Sequence, residues 1–190
     1  WECSDVSPLR MDGKSPGARH IMPHIVVFVK NYRVAGKLIP VLGDTKLLFA
    51  YYQDFVKNLN KEDDQELKSI TQKLVAPFQS DEEKIKAIFY WVKDNIKYIA
   101  FEAGYEGFVP RQAKLVCERK FGDCKDMASI ITDMARYANV PNVNLCWIGT
   151  RSIPYTYSAL STPAVDNHMI AAYETNGKTI FLDATDSKTR

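Results

Sequence analysis

The stretch that decides the fold is FGDCKDMASIITDMARYANVP, Phe121 to Pro141. Beyond Gly122 it reads as a helix. Cys124, Met127, Ala128, Ile131, Met134, Ala135 and Ala138 recur at helical spacing and share one apolar face. Asp123 stands where an N-cap is preferred, and Asp126 suits the positive end of the helix dipole. As charged first-turn residues, Lys125 and Asp126 are expected to project away from the core. Gly122 is expected to allow a tight approach to the helix, with no side chain to block an oxyanion pocket. Asn139 and Pro141 stop the helix. Cys124 therefore opens a helix. Four readings of it stand at this point: buried structural residue, metal ligand, half of a disulfide, or nucleophile.

Upstream, SDEEKIKAIFYWVKDNIKY gives a second helix. Ser80 followed by Glu83 is a capping box, and Ile85, Ile88, Phe89, Val92 and Ile96 fall on one face. Tyr90 and Trp91 are expected in the core or at its edge. Further helices are expected over Thr45–Leu59, Glu66–Val75 and Gln112–Glu118, and a strand over His24–Tyr32. Residues 1–20 read as an irregular lead-in rich in Pro, Gly and Ser.

Downstream the apolar period changes from helical to alternating. Strands are expected over Asn144–Thr150, His168–Glu174 and Lys178–Ala184. A long polar and aromatic loop, Arg151–Asn167, separates the first two. Asn176-Gly177 joins the last two as a two-residue hairpin turn. Helices first and a meander afterwards make an α+β pattern. The turn also sets a register. With Thr175 facing Lys178, His168 faces Thr185 and Asp183 faces Ile170. His168 and Asp183 then lie on one face as diagonal neighbours, about 7–8 Å apart at the backbone.

The bulk numbers exclude some classes. The chain has 190 residues, 46% hydrophobic and 25% charged, with a net charge of +2. No Lys/Arg block exceeds two residues, which gives no basis for a nucleic-acid partner. No apolar run approaches the ~20 residues of a membrane span. WECSDVSPLRMDGKSPG carries no leader pattern and does not begin with Met, so an excised fragment is expected. Cys3, Cys117, Cys124 and Cys146 fit neither a dense disulfide framework nor a paired zinc motif.

Each element alone has a bland reading. A cysteine on an apolar helix face is more often inert core, by roughly three to one. A histidine at a strand start and an aspartate in FLDAT are usually polar strand ends. His20 and His24 are expected at the surface or in packing. The combination is more specific. A helix start favours a thiolate and offers an N–H to an oxyanion. A histidine takes and returns the proton, and a carboxylate orients the ring. Nucleophile is then the best reading of Cys124. A zinc site of Cys124, His168 and an aspartate, with or without Cys117, is the weaker alternative.

RKFGDCKDMASIITDMARYANVP, DNHMIAAYE and FLDAT resemble the transglutaminase-like superfamily, a papain-like thiol fold. WVKDNIKY and VPRQA match its usual lead-in, so the resemblance covers about Ser80 to Thr185. It implies helices packed on an antiparallel meander, with Cys124, His168 and Asp183 as the catalytic triad. It implies thiol-dependent acyl transfer on protein or peptide amides, to an amine acceptor or to water as in a cysteine peptidase or amidase. A non-catalytic binding module on the same fold is the remaining alternative. Gly-Asp-Cys-Lys-Asp resembles the bacterial branch in which this core follows an N-terminal β-sandwich domain. Residues 1–40 then form a tail or linker from that domain, and 41–190 the core, open to truncation at its C-terminus. That branch implies a periplasmic or extracellular location. No cofactor or metal is expected, since no calcium loop of the EF-hand type is present. Tyr98, Phe101 and Glu102 lie in the region where a second oxyanion donor would stand, and the sequence singles out none of them.

Overall fold

In the computed structural model, residues 12–100 and 103–186 are described, together with 2, 4, 5, 7, 8 and 10. Cys3, Phe101 and Glu102 lie outside the described residues. The chain opens with a helical turn, α1 (Ala18–Ile21), and a hairpin of β1 (Asn31–Val34) and β2 (Lys37–Pro40). The strand expected over His24–Tyr32 therefore begins seven residues later. Its β-branched run has no neighbouring strand to pair with among the described residues, and propensity alone does not make a ladder. Ile25, Val27 and Val29 are exposed.

The helices follow their sequence signals closely. They are α2 (Thr45–Val56), α3 (Gln65–Val75), α4 (Asp81–Asn95), α5 (Ala113–Arg119) and α6 (Cys124–Tyr137). Asp44, Asp64 and Ser80 cap the first three through their side chains, and Ser80 and Glu83 form the expected capping box. Asn139 ends α6 with a left-handed φ of 55°. A two-residue parallel pair, β3 (Lys97–Tyr98) with β4 (Phe121–Gly122), was not legible, since two residues carry no period.

The meander consists of β5 (Val143–Ile148), β6 (His168–Thr175) and β7 (Lys178–Leu182), with β6 central and both pairings antiparallel. Asn176 and Gly177 both have positive φ, 49° and 72°, as a type I′ turn requires. The register is the expected one, from Thr175 opposite Lys178 to Ala171 opposite Leu182.

Helix α6 is the centre of the molecule. It packs on β6, with α3, α4 and α5 around it. Ile88, Val92, Ile130, Ile131, Met134 and Ala171 interlock there, fully or almost fully buried. Each large side chain of this set contributes about 1.5–3 kcal/mol by leaving water. The architecture is α+β, helices against a small antiparallel sheet. It sets the first turn of α6 beside the opening residue of β6.

Candidate active site

The chain reaches Cys124 through a tight sequence of turns. Lys120 closes α5 in the left-handed region (φ 60°). β4 then aligns with β3, and the Ile99 N–H donates to the Gly122 carbonyl at 2.8 Å. Asp123 caps α6 as expected. Its Oδ1 accepts from the N–H groups of Lys125 at 3.0 Å and Asp126 at 3.3 Å. Asp126 reciprocates, its Oδ2 accepting the Asp123 N–H at 3.1 Å. Among the described residues, the Cys124 N–H has no acceptor. The cap thus occupies its neighbours and leaves that one donor at the helix start available.

One expectation for this turn was wrong. Lys125 and Asp126 do not project outward; they are 1% and 0% exposed. Lys125 Nζ lies 2.7 Å from Asp123 Oδ2. Arg111 donates to Asp126 twice, from its backbone N at 2.8 Å and from Nη1 at 2.7 Å. Arg111 also reaches Glu106 at 2.7 Å and lies 3.7 Å from Asp123. Two cations and two carboxylates neutralise one another inside the protein, with Glu106 at the solvent edge, so burial is tolerated. Gly122 allows the tight approach expected of it. A Cβ there would sit 2.5 Å from the Asp126 Cβ, so the glycine makes room for Asp126.

Cys124 is 5% exposed and packs on Ala128, Met169, Leu145 and Trp147. His168 opens β6 opposite Ile148. Its Nε2 lies 3.0 Å from Asp183 Oδ2. The diagonal neighbours inferred from the hairpin register are thus in hydrogen-bond contact, just beyond the last ladder pair. Asp183 Oδ1 accepts from the Thr185 hydroxyl at 2.6 Å and its N–H at 3.1 Å.

The Cys124 thiol lies near enough to the ring to help raise its pKa. With Nε2 taken by Asp183, Nδ1 is the nitrogen left to face sulfur. Of the three residues singled out in the sequence, His168 and Asp183 are in hydrogen-bond contact and Cys124 lies near the ring. Asp183 first, then Cys124, raise the His168 pKa from 6.5 to about 10 against the opposing effect of burial. Burial pushes Asp183 upward, but the hydrogen bonds from His168 and Thr185 outweigh it and hold the carboxyl at about 2. The ring is therefore protonated and its partner ionised at neutral pH. His168 and Asp183 side chains are 15% and 41% exposed, so the site is open on that side.

A residue with no sequence signal is Asp166, two positions before His168. Tyr52 donates to its Oδ2 at 2.7 Å and Tyr157 to its Oδ1 at 2.5 Å. The Tyr52 contact spans 114 positions, which no local pattern reports. The other described cysteines, Cys117 and Cys146, are free thiols, and no cluster of metal-ligating side chains occurs among the described residues. His24 is exposed; its Nδ1 lies 2.7 Å from the Met22 carbonyl and its Nε2 meets the Tyr155 hydroxyl.

The family model of the transglutaminase-like superfamily matches residues 68–142. This span takes in Cys124 and the buried charge cluster and ends before His168. No curated protein matches the chain. Among solved structures, a putative protease from Parabacteroides distasonis aligns at a TM-score of 0.57 and 19% identity, over 74% of this chain. The chain covers 26% of that protein, about a quarter of its length. A putative cysteine protease from Cytophaga hutchinsonii aligns at 0.47 and 20% identity, over 63% of this chain and 37% of the other. The fold is thus similar to that of the Parabacteroides protein, and the centre of the chain is similar to the transglutaminase-like family.

Proposed function

We propose that the protein is a cysteine-dependent enzyme that transfers acyl groups from protein or peptide amides. Cys124 is the nucleophile. His168 carries the thiol proton and passes it to the leaving amine, and Asp183 orients the ring through Nε2. The Cys124 N–H is the first oxyanion donor. The observation that carries this reading is the His168 Nε2–Asp183 Oδ2 hydrogen bond at 3.0 Å, beside a Cys124 thiol near enough to the ring to raise its pKa.

The acceptor is an amine in a transglutaminase-type reaction and water in a peptidase or amidase. Mass spectrometry with a glutamine peptide and a labelled amine separates the two. Acid release without label means hydrolysis, and label incorporation means transfer. Cys124→Ala is expected to abolish both reactions while the fold is retained. Full activity in that variant would overturn the assignment.

We also propose that residues 1–40 lead in from a β-sandwich domain and that the protein works outside the cytoplasm. The exposed apolar run around Ile25, Val27 and Val29 supports the first of these. Cell fractionation tests the second, and a cytoplasmic pool would count against it.

A further inference from the structure

A cavity of about 400 Å³ lies between α2 and the free edge of β5. Leu48, Tyr52, Val56, Leu145, Trp147 and Met169 form its largely apolar wall, and Cys146 and Asp166 also border it. Three of these residues, Leu145, Trp147 and Met169, belong to the same hydrophobic cluster as Cys124. The cavity therefore borders the cluster that holds the sulfur. Its size is at the lower end of the range for ligand sites, enough for one large side chain.

The carboxylate at its border does not make it a cation site. Each Asp166 oxygen already accepts one phenol hydrogen, from Tyr52 and from Tyr157. The two hydroxyls are turned to the carboxylate, which leaves ring surface for the cavity. Tyr52 also stacks on Trp147, with centroids 5.1 Å apart and planes at 20°. An occupant thus meets aliphatic and aromatic surface.

We propose that this cavity is the subsite for a large uncharged side chain, leucine to phenylalanine in size, on the peptide whose amide Cys124 attacks. The inference rests on the acyl-transfer reading and adds the specificity that reading lacks. Cys146 reports occupancy, because it is a free, half-buried thiol on the cavity wall.

The test has two arms. In the Cys124→Ala chain, iodoacetamide labelling of Cys146 is followed by mass spectrometry with N-acetyl amides of leucine, phenylalanine, glycine or lysine added. The leucine and phenylalanine amides are expected to slow labelling several-fold, and the glycine amide to leave it unaltered. Equal rates with all four overturn the proposal, as does strongest protection by the lysine amide, which would mean a cation held by Asp166. In the unmodified chain, peptides with Leu or Phe beside the amide are expected to acylate Cys124 roughly 10–100-fold faster than those with Gly. Val56→Trp and Gln53→Trp, which fill the cavity from the helix side, should each cut that ratio below about 3-fold. A ratio that survives both fillings overturns the proposal. If no peptide acylates Cys124, the enzymatic reading falls and the subsite with it. Selective acylation without protection of Cys146 leaves the enzymatic reading standing and overturns the subsite alone.

Discussion

Replacing Asp126 by Asn tests the account of the buried charges. The carboxylate is 0% exposed and accepts three hydrogen bonds, two from Arg111 and one from the Asp123 N–H. Asn keeps the shape, loses the charge and turns an N–H₂ towards one of these donors. Removing one partner of a buried ion pair costs about 3–5 kcal/mol. The lower end applies here, because Arg111 keeps Glu106 at 2.7 Å and its side chain is 15% exposed. For a chain of this size each kcal/mol moves Tm by about 2–4 °C, so about 3 kcal/mol means a fall of about 6–12 °C. Urea unfolding followed by circular dichroism measures the loss directly. The double variant Arg111→Met/Asp126→Asn should lose less than its two single variants added together, since no guanidinium is then left short of a partner. A loss below about 1 kcal/mol in the single variant, or simple additivity in the double, would refute the argument.

Two further outcomes follow from the same geometry. Asp183→Asn removes the main cause of the raised His168 pKa, so the alkaline limb of the pH–rate profile should move down from about 10. For stability, the His168 contribution is complete below 6.5 and lost as pH rises through about 10. The Asp183 contribution is complete above 3.8 and lost as pH falls towards about 2. The variant should therefore flatten stability on both sides of the window from about 4 to 6.5, and an NMR titration of the His168 ring unmoved by the change would contradict this. Gly122→Ala puts a methyl 2.5 Å from the Asp126 Cβ. It should destabilise by about 1–3 kcal/mol, as overpacking does, and a melting temperature equal to that of the unchanged chain would refute it.

The parts of the fold that were legible are those written in short-range patterns. The Ser80–Glu83 box and the apolar stripe from Ile85 to Ile96 bring their own boundaries. The Asn-Gly turn fixes a register without any knowledge of the rest, and that register brought His168 to Asp183. What was not legible depends on distant partners. A lysine and an aspartate in a first turn look solvated unless it is known that Arg111 arrives from the preceding loop. His24–Lys30 has strand composition, but a strand needs a neighbour, and the sequence does not state whether one is present. Asp166 looks like an ordinary loop residue until Tyr52 reaches it from α2.

The hairpin at Asn176-Gly177 also sets an order in time. Synthesis runs from the N-terminus, and Cys124 precedes its ring partner by 44 residues and the carboxylate by 59. Helix α6 packs on α3, α4 and α5, all synthesised before β6 and β7, whereas His168 meets Asp183 only where those two strands pair. Until then the ring lacks its carboxylate partner. Under the proposed triad, a nascent chain in which β7 has not paired lacks the group that orients the imidazole, so activity waits on that hairpin.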